Sequence, residues 1–262
     1  MRNDDLGDVR GVVLDLDGTV YAGDTVISGA PAAVERLRSA GLGIRFATNT
    51  TRLSRRALVE RLRRLGIDAA VEDLVTAPVA AANWLRARRI GTVALYVADA
   101  GRADFDEFRI DEQAPGAVVV GDLGAAWTFD LLNRAFRQLL EGAELLAIQR
   151  NRYWKTQDGL TLDAGPFVAA LEYAAGKRAV TVGKPSAAFF EAAARSLGLP
   201  ASQVVMVGDD VVSDVEGAMA AGLRGVLVRT GKFRPGDLER EPAPDAVIDS
   251  IAELPHLLLA ER

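Results

Sequence analysis

Short apolar runs closed by glycine or by polar turn residues alternate with longer stretches of helical periodicity along the 262-residue chain. Val12–Leu14, a run of Val and Leu behind a glycine, reads as a strand buried on both faces, and Ile44–Ala47 reads as a second strand. Between them a helix is predicted over Pro31–Ala40, with proline at its start and Gly41 at its stop. A second helix follows Ser54 as N-cap and runs to Leu65 before Gly66. The same rhythm returns late in the chain. Val180–Val182, Val204–Val207, Gly225–Val228 and Ala246–Ile248 read as strands, with helices over Ser186–Leu197 and Asp214–Ala221. Strand–helix alternation with short connections predicts an α/β fold with a parallel sheet and right-handed crossovers. The intervening residues carry their own pattern. Strands are expected at Val93–Val97, Ala117–Val120 and Leu145–Ile148, and helices at Asp130–Leu140 and Gly165–Ala174. This predicts a smaller α/β domain over 79–177, inserted into a core made of 1–78 and 178–262, with boundaries near Pro78 and Lys177.

Polar residues sit where the strands end. Asp15-Leu16-Asp17-Gly18-Thr19 follows the first strand and Thr48-Asn49 the second. Gly183-Lys184-Pro185 follows the Val180 strand and Gly208-Asp209-Asp210 the Val204 strand, with Asp214 one helical turn further on. In an open parallel sheet the carboxyl ends of the strands lie on one edge, where ligands bind, so these clusters should converge. Two acids two residues apart repel unless a cation or a shared proton resolves the charge. A metal site, an acid/base pair, or both, would do so. Carboxylates and carbonyls without a soft ligand suit a hard cation, and magnesium fits best. A cation, a lysine and backbone N–H groups at helix starts make a phosphate site. An aspartate beside that phosphorus makes an aspartyl-phosphate intermediate chemically available.

Each motif also has a purely structural reading. Asp-Gly-Thr is ordinary turn chemistry. Thr48-Asn49 could cap a helix, Lys184 could be a solvated surface lysine, and Asp210 and Asp214 could be acids favoured at a helix start. Gly183-Lys184-Pro185-Ser186 is not a nucleotide-binding loop, because Arg178 stands where that loop needs glycine. Arg52, Arg55, Arg56, Arg61, Arg63 and Arg64 crowd the second helix and read as a solvated face with acidic neighbours rather than a nucleic-acid patch.

Composition narrows the chemistry. A net charge of −5 lacks the basic footprint of a nucleic-acid binder. With no cysteine, disulfides, thiolate metal sites and cysteine nucleophiles are excluded. The single histidine, His256, lies in a leucine-rich stretch and reads as a helix-surface residue, which argues against a Ser-His-Asp triad or a multi-histidine zinc centre. Met1–Asp5 is polar with no apolar segment behind it, and no apolar run reaches the ~18 residues of a membrane span. The expected location is cytoplasmic, with no membrane partner.

These four motifs, in this order, resemble those of the haloacid dehalogenase superfamily. The long insert resembles the α/β cap (type IIA) of its nitrophenyl-phosphatase-like and nucleotide phosphatases. Several strings resemble the phospholysine phosphohistidine inorganic pyrophosphate phosphatase type within it. They are Arg45 to Thr51, Ala147-Ile148 with Arg152-Tyr153-Trp154-Lys155, Asp158-Gly159-Leu160, Gly165 to Ala174, and Thr230-Gly231-Lys232. The resemblance implies a Rossmann-like parallel sheet core with an inserted cap. It implies Asp15 as nucleophile and Asp17 as the acid that protonates the leaving oxygen and then activates water. Magnesium would be held by Asp15, the Asp17 main-chain carbonyl and Asp209, with Asp214, and Asp210 as an open alternative, acting directly or through water; Thr48, the Asn49 backbone and Lys184 would bind the phosphoryl oxygens. The insert would close over the site, with Asn151 to Lys155 as its substrate-facing segment. A small phosphorylated metabolite is the implied substrate: a sugar phosphate, nucleotide, pyridoxal phosphate, pyrophosphate or phosphoramidate. A homodimer through the apolar surface of the insert is compatible with the resemblance. Two other functions share the scaffold: a phosphoryl transferase or mutase, and a non-catalytic module that binds a phosphorylated ligand.

Overall fold

The computed structural model describes residues 6–156 and 159–260; Met1–Asp5 and Asp158, named above, lie outside them. The chain forms two compact units. One comprises residues up to Thr48, Arg55–Val75 and the chain from Lys184 onward; the other comprises Asn49–Ser54 and Thr76–Gly183.

The first unit is built on a six-stranded sheet in the order Ala246–Ile248, Arg224–Val228, Val204–Gly208, Gly11–Asp15, Gly43–Thr48, Leu74–Thr76. Gly11–Asp15 lies parallel to both central neighbours, with Leu14 opposite Val207 on one side and Asp15 opposite Ala47 on the other. Every residue of Gly11–Asp15 and of Val204–Gly208 is buried, as expected of strands covered on both faces. The helix Ala30–Ser39 has proline in its first turn and buries Ala33, Val34 and Leu37. The helix Ala187–Leu197 ends at Gly198, whose φ of 68° is a left-handed C-cap. It buries Phe189 and Phe190, whose rings meet edge to face at 5.6 Å. Truncating either ring to alanine would cost about 3–5 kcal/mol.

The second unit holds a five-stranded sheet in the order Val180–Thr181, Glu144–Ala147, Ala117–Val120, Thr92–Tyr96, Arg109–Ile110, parallel throughout. Helices Phe129–Leu140 and Ala164–Ala175 pack on it. Trp127 stacks between Tyr96, at 5.5 Å, and Phe167, at 4.9 Å, and fixes one end of that layer. A hairpin of Tyr153–Thr156 and Gly159–Leu162 extends from it.

Two local expectations change. Val180–Thr181 belongs to the second sheet, paired with Leu146 and Ala147, and not to the core sheet. A run this short carries no signal for which sheet it joins, since pairing is long-range. Pro78 lies in the first turn of the helix Ala77–Ala87, whose cap, the Thr76 hydroxyl, accepts the Val79 N–H at 3.3 Å. The Asn151–Lys155 stretch runs into the hairpin, where Tyr153 is 54 % exposed. The predicted helix at Asp214 begins earlier, as a π-helical turn over Val211–Glu216. His256 is exposed on the helix Leu254–Leu259, as expected. No helix among the described residues is long and apolar enough to cross a membrane.

Candidate active site

The carboxyl edge of the first sheet collects the acids. Asp15 ends its strand buried, and Asp209 follows Gly208 at the end of the parallel neighbour. The π-helical turn after Asp210 returns Asp214 to the same place. One carboxylate oxygen from each of Asp15, Asp209 and Asp214 lies within 4.8 Å of the others. π-Turns of this kind concentrate at functional sites. Gly208 makes room for this one: a Cβ there would lie 2.2 Å from Asp214 Oδ2.

Lys184 joins the acids from the chain rather than from a strand of this sheet. Its buried ammonium donates to Asp15 Oδ1 and, at 2.6 Å, to Asp214 Oδ1. Burial disfavours the ammonium, but the two carboxylates outweigh it and raise its pKa above the ordinary lysine range. Burial also pushes the carboxyls up: Asp209 to about 6 and Asp214 to about 7, the latter although Lys184 pulls it down. Asp15 is raised by the same desolvation.

Asp209 is enclosed by backbone. Its Oδ2 accepts the Lys232 N–H at 2.6 Å. Gly18 and Gly231, with φ of 95° and 61°, lie against it so closely that a Cβ on either would meet Oδ2 at 2.1 and 1.9 Å. The Thr230 hydroxyl ties the two loops by donating to the Gly18 carbonyl. Asp209 Oδ1 is buried with no hydrogen-bond partner among the described residues. Three carboxylates against one ammonium leave two negative charges in a buried pocket. An oxygen-only donor set, an orphaned buried oxygen and that charge together fit a hard divalent cation.

The remaining expected residues sort by position. Asp17 stands exposed beyond the cluster, in a turn where the Leu16 carbonyl accepts the N–H groups of Thr19, Val20 and Tyr21. Burial pushes the Tyr21 phenol beside it up to about 12. Asp210 is engaged otherwise: its Oδ1 caps the Ser213 N–H at 3.0 Å and its Oδ2 takes the Lys232 ammonium at 3.2 Å. Its own N–H donates to Asp214 Oδ2 at 3.2 Å, so it orients Asp214. Thr48 is buried at the end of its strand, next to the Asp15 strand. Asn49 falls in the other unit and is half-buried. Gly231 and Lys232 carry no assigned role in the sequence reading, yet both touch Asp209. The signal was there: they follow Arg224–Val228, another strand ending on this edge.

Two family models match the chain, one described as haloacid dehalogenase-like hydrolase over residues 12–110 and one as HAD-hydrolase-like over 181–254. Phospholysine phosphohistidine inorganic pyrophosphate phosphatase of Homo sapiens is 43 % identical, covering 97 % of this chain and 96 % of its own length. Haloacid dehalogenase-like hydrolase domain-containing protein 2 of Rattus norvegicus is 42 % identical over 95 % and 98 %. The crystal structure of 4-nitrophenylphosphatase from Thermotoga maritima matches with a TM-score of 0.89 at 29 % identity, covering 97 % of this chain and 98 % of that one. The chain belongs to the haloacid dehalogenase-like hydrolases. Within that family it is a phosphatase.

Proposed function

We propose that the protein is a magnesium-dependent phosphatase that hydrolyses a small phosphorylated metabolite through an aspartyl-phosphate on Asp15. One observation carries this reading: carboxylate oxygens of Asp15, Asp209 and Asp214 lie within 4.8 Å of each other, with the Lys184 ammonium bonded to two of them. Asp15, Asp209, Asp214 and the Asp17 main-chain carbonyl would hold magnesium, which when bound supplies charge neutralisation for the phosphoryl group. Lys184 and Thr48, and Asn49 from its own segment, would bind the phosphoryl oxygens.

The division of labour between the two motif aspartates is the one the family resemblance implies. Asp15 is buried beside an ammonium, which favours an attacking carboxylate. Its oxygen forms a bond to phosphorus as the bond to the leaving oxygen breaks. Asp17, exposed two residues on, would hand a proton to that leaving oxygen. It then takes a proton from water, the water oxygen bonds to phosphorus, and the Asp15 carboxylate is released. Most of the acceleration would come from positioning and fixed charge. The unit spanning Thr76–Gly183 is read as the cap that selects the leaving group, with the exposed Arg152 and Tyr153 as its substrate-facing residues. The test is Asp15→Asn assayed for magnesium-dependent phosphate release on a panel of phosphorylated metabolites. It should fold and lose turnover; full activity would remove the nucleophile assignment.

A further inference from the structure

The turn bearing Asp17 is closed by a very small structure. Tyr21–Ala22 and Thr25–Val26 are two-residue strands paired antiparallel. Such a ribbon is not stable by itself. It nevertheless sets where Asp17 stands: Asp17 bridges to Tyr21, and the Gly18 N–H donates to the Tyr21 carbonyl at 2.7 Å.

One side chain from another element holds it. Arg61, on the helix Arg55–Arg64, places its guanidinium 4.4 Å from the centre of the buried Tyr21 ring. The same guanidinium donates to the Gly23 carbonyl at the hairpin tip and, at 3.0 Å, to the carboxylate of Asp24. Arg61 differs in this from Arg63 on the same helix, whose pair with Asp68 at 3.7 Å is exposed on both sides. A planar guanidinium can lie over a ring face while its edge donates to neighbouring oxygens, a geometry that a compact ammonium reproduces only in part.

We infer that Arg61 is a positioning residue for Asp17, acting through Tyr21 to hold the turn in which the leaving group receives its proton. The inference rests on the reading of Asp17 as acid, and makes a demand that a merely structural role would not. Proton donation matters greatly when an alkoxide departs and little when 4-nitrophenolate does. kcat/KM covers the steps up to the first departure and is therefore the quantity to compare.

The experiment measures kcat/KM of wild type, Arg61→Met, Arg61→Lys and Asp17→Asn on an alkyl phosphate and on 4-nitrophenyl phosphate, with thermal melts alongside. Arg61→Met should lose on the order of tenfold more on the alkyl ester than on the nitrophenyl ester, as a misplaced acid would. Arg61→Lys, which keeps stem and charge, should fall between and keeps the test valid if the methionine variant does not fold. Equal losses on both esters, or none, would overturn the role of Arg61 provided Asp17→Asn itself discriminates between them. If Asp17→Asn also loses both equally, the acid reading of Asp17 falls and the inference with it.

Discussion

Gly231 sits so close to Asp209 that a Cβ on it would lie 1.9 Å from Oδ2 and 2.7 Å from the Cα of Gly18. Two loops from distant parts of the sequence thus meet on one carboxylate. Gly231→Ala must push the carboxylate or separate the loops, and its φ of 61° disfavours any side chain. Phosphatase kcat/KM should fall by about a hundredfold or more, the scale of an ångström-sized displacement in a catalytic site. Steady-state kinetics with a melting curve for the same protein checks this.

Lys184→Met leaves Asp15 and Asp214 buried without their cation. Breaking a buried pair from one side typically costs about 3–5 kcal/mol. Urea unfolding of the metal-free variant should show a loss of that order near neutral pH and a smaller one in acid, where the carboxyls protonate instead. Saturating magnesium should narrow the gap.

The acid cluster also fixes a pH dependence. Asp209 and Asp214 titrate at about 6 and about 7 in the folded protein, above the ordinary 3.8, because burial disfavours their charge. Between the two limits the folded state holds more protons than the unfolded state, so metal-free stability falls as pH rises through that window. Magnesium requires the deprotonated oxygens, so its binding strengthens over the same window. The rise in melting temperature on adding magnesium should be larger at about pH 8 than at about pH 5.5, with the sign set by this linkage. A larger rise in acid would contradict the assignment of these residues as ligands.

The core sheet was legible because its strands are apolar runs closed by distinctive polar ends. Asp15 and Asp209 could be placed together from their strand ends alone, since parallel strands share one carboxyl edge. The Val180 run was misplaced because its two sheet-forming residues say nothing about which partner they find. Lys184 reaches Asp15 all the same, from a segment that follows a strand of the other sheet. The strand Leu74–Thr76 and the hairpin at Tyr21 were too short to stand out. Gly231 could be placed near this edge from the end of Arg224–Val228, but its role, which is to have no side chain, shows only once Asp209 is beside it. Asp210 accepts from the Ser213 N–H and the Lys232 ammonium and donates its own N–H to Asp214, contacts that only the folded chain reveals.

Trapping the covalent intermediate bears most directly on Asp15. The protein is mixed with magnesium and a phosphate ester, quenched in acid within a turnover, and reduced with borohydride, which converts an aspartyl-phosphate to homoserine. Peptide mass spectrometry should find homoserine at position 15 only when magnesium and substrate are both present. Turnover with phosphate release but unmodified Asp15 at every quench time would contradict a nucleophilic role for this residue.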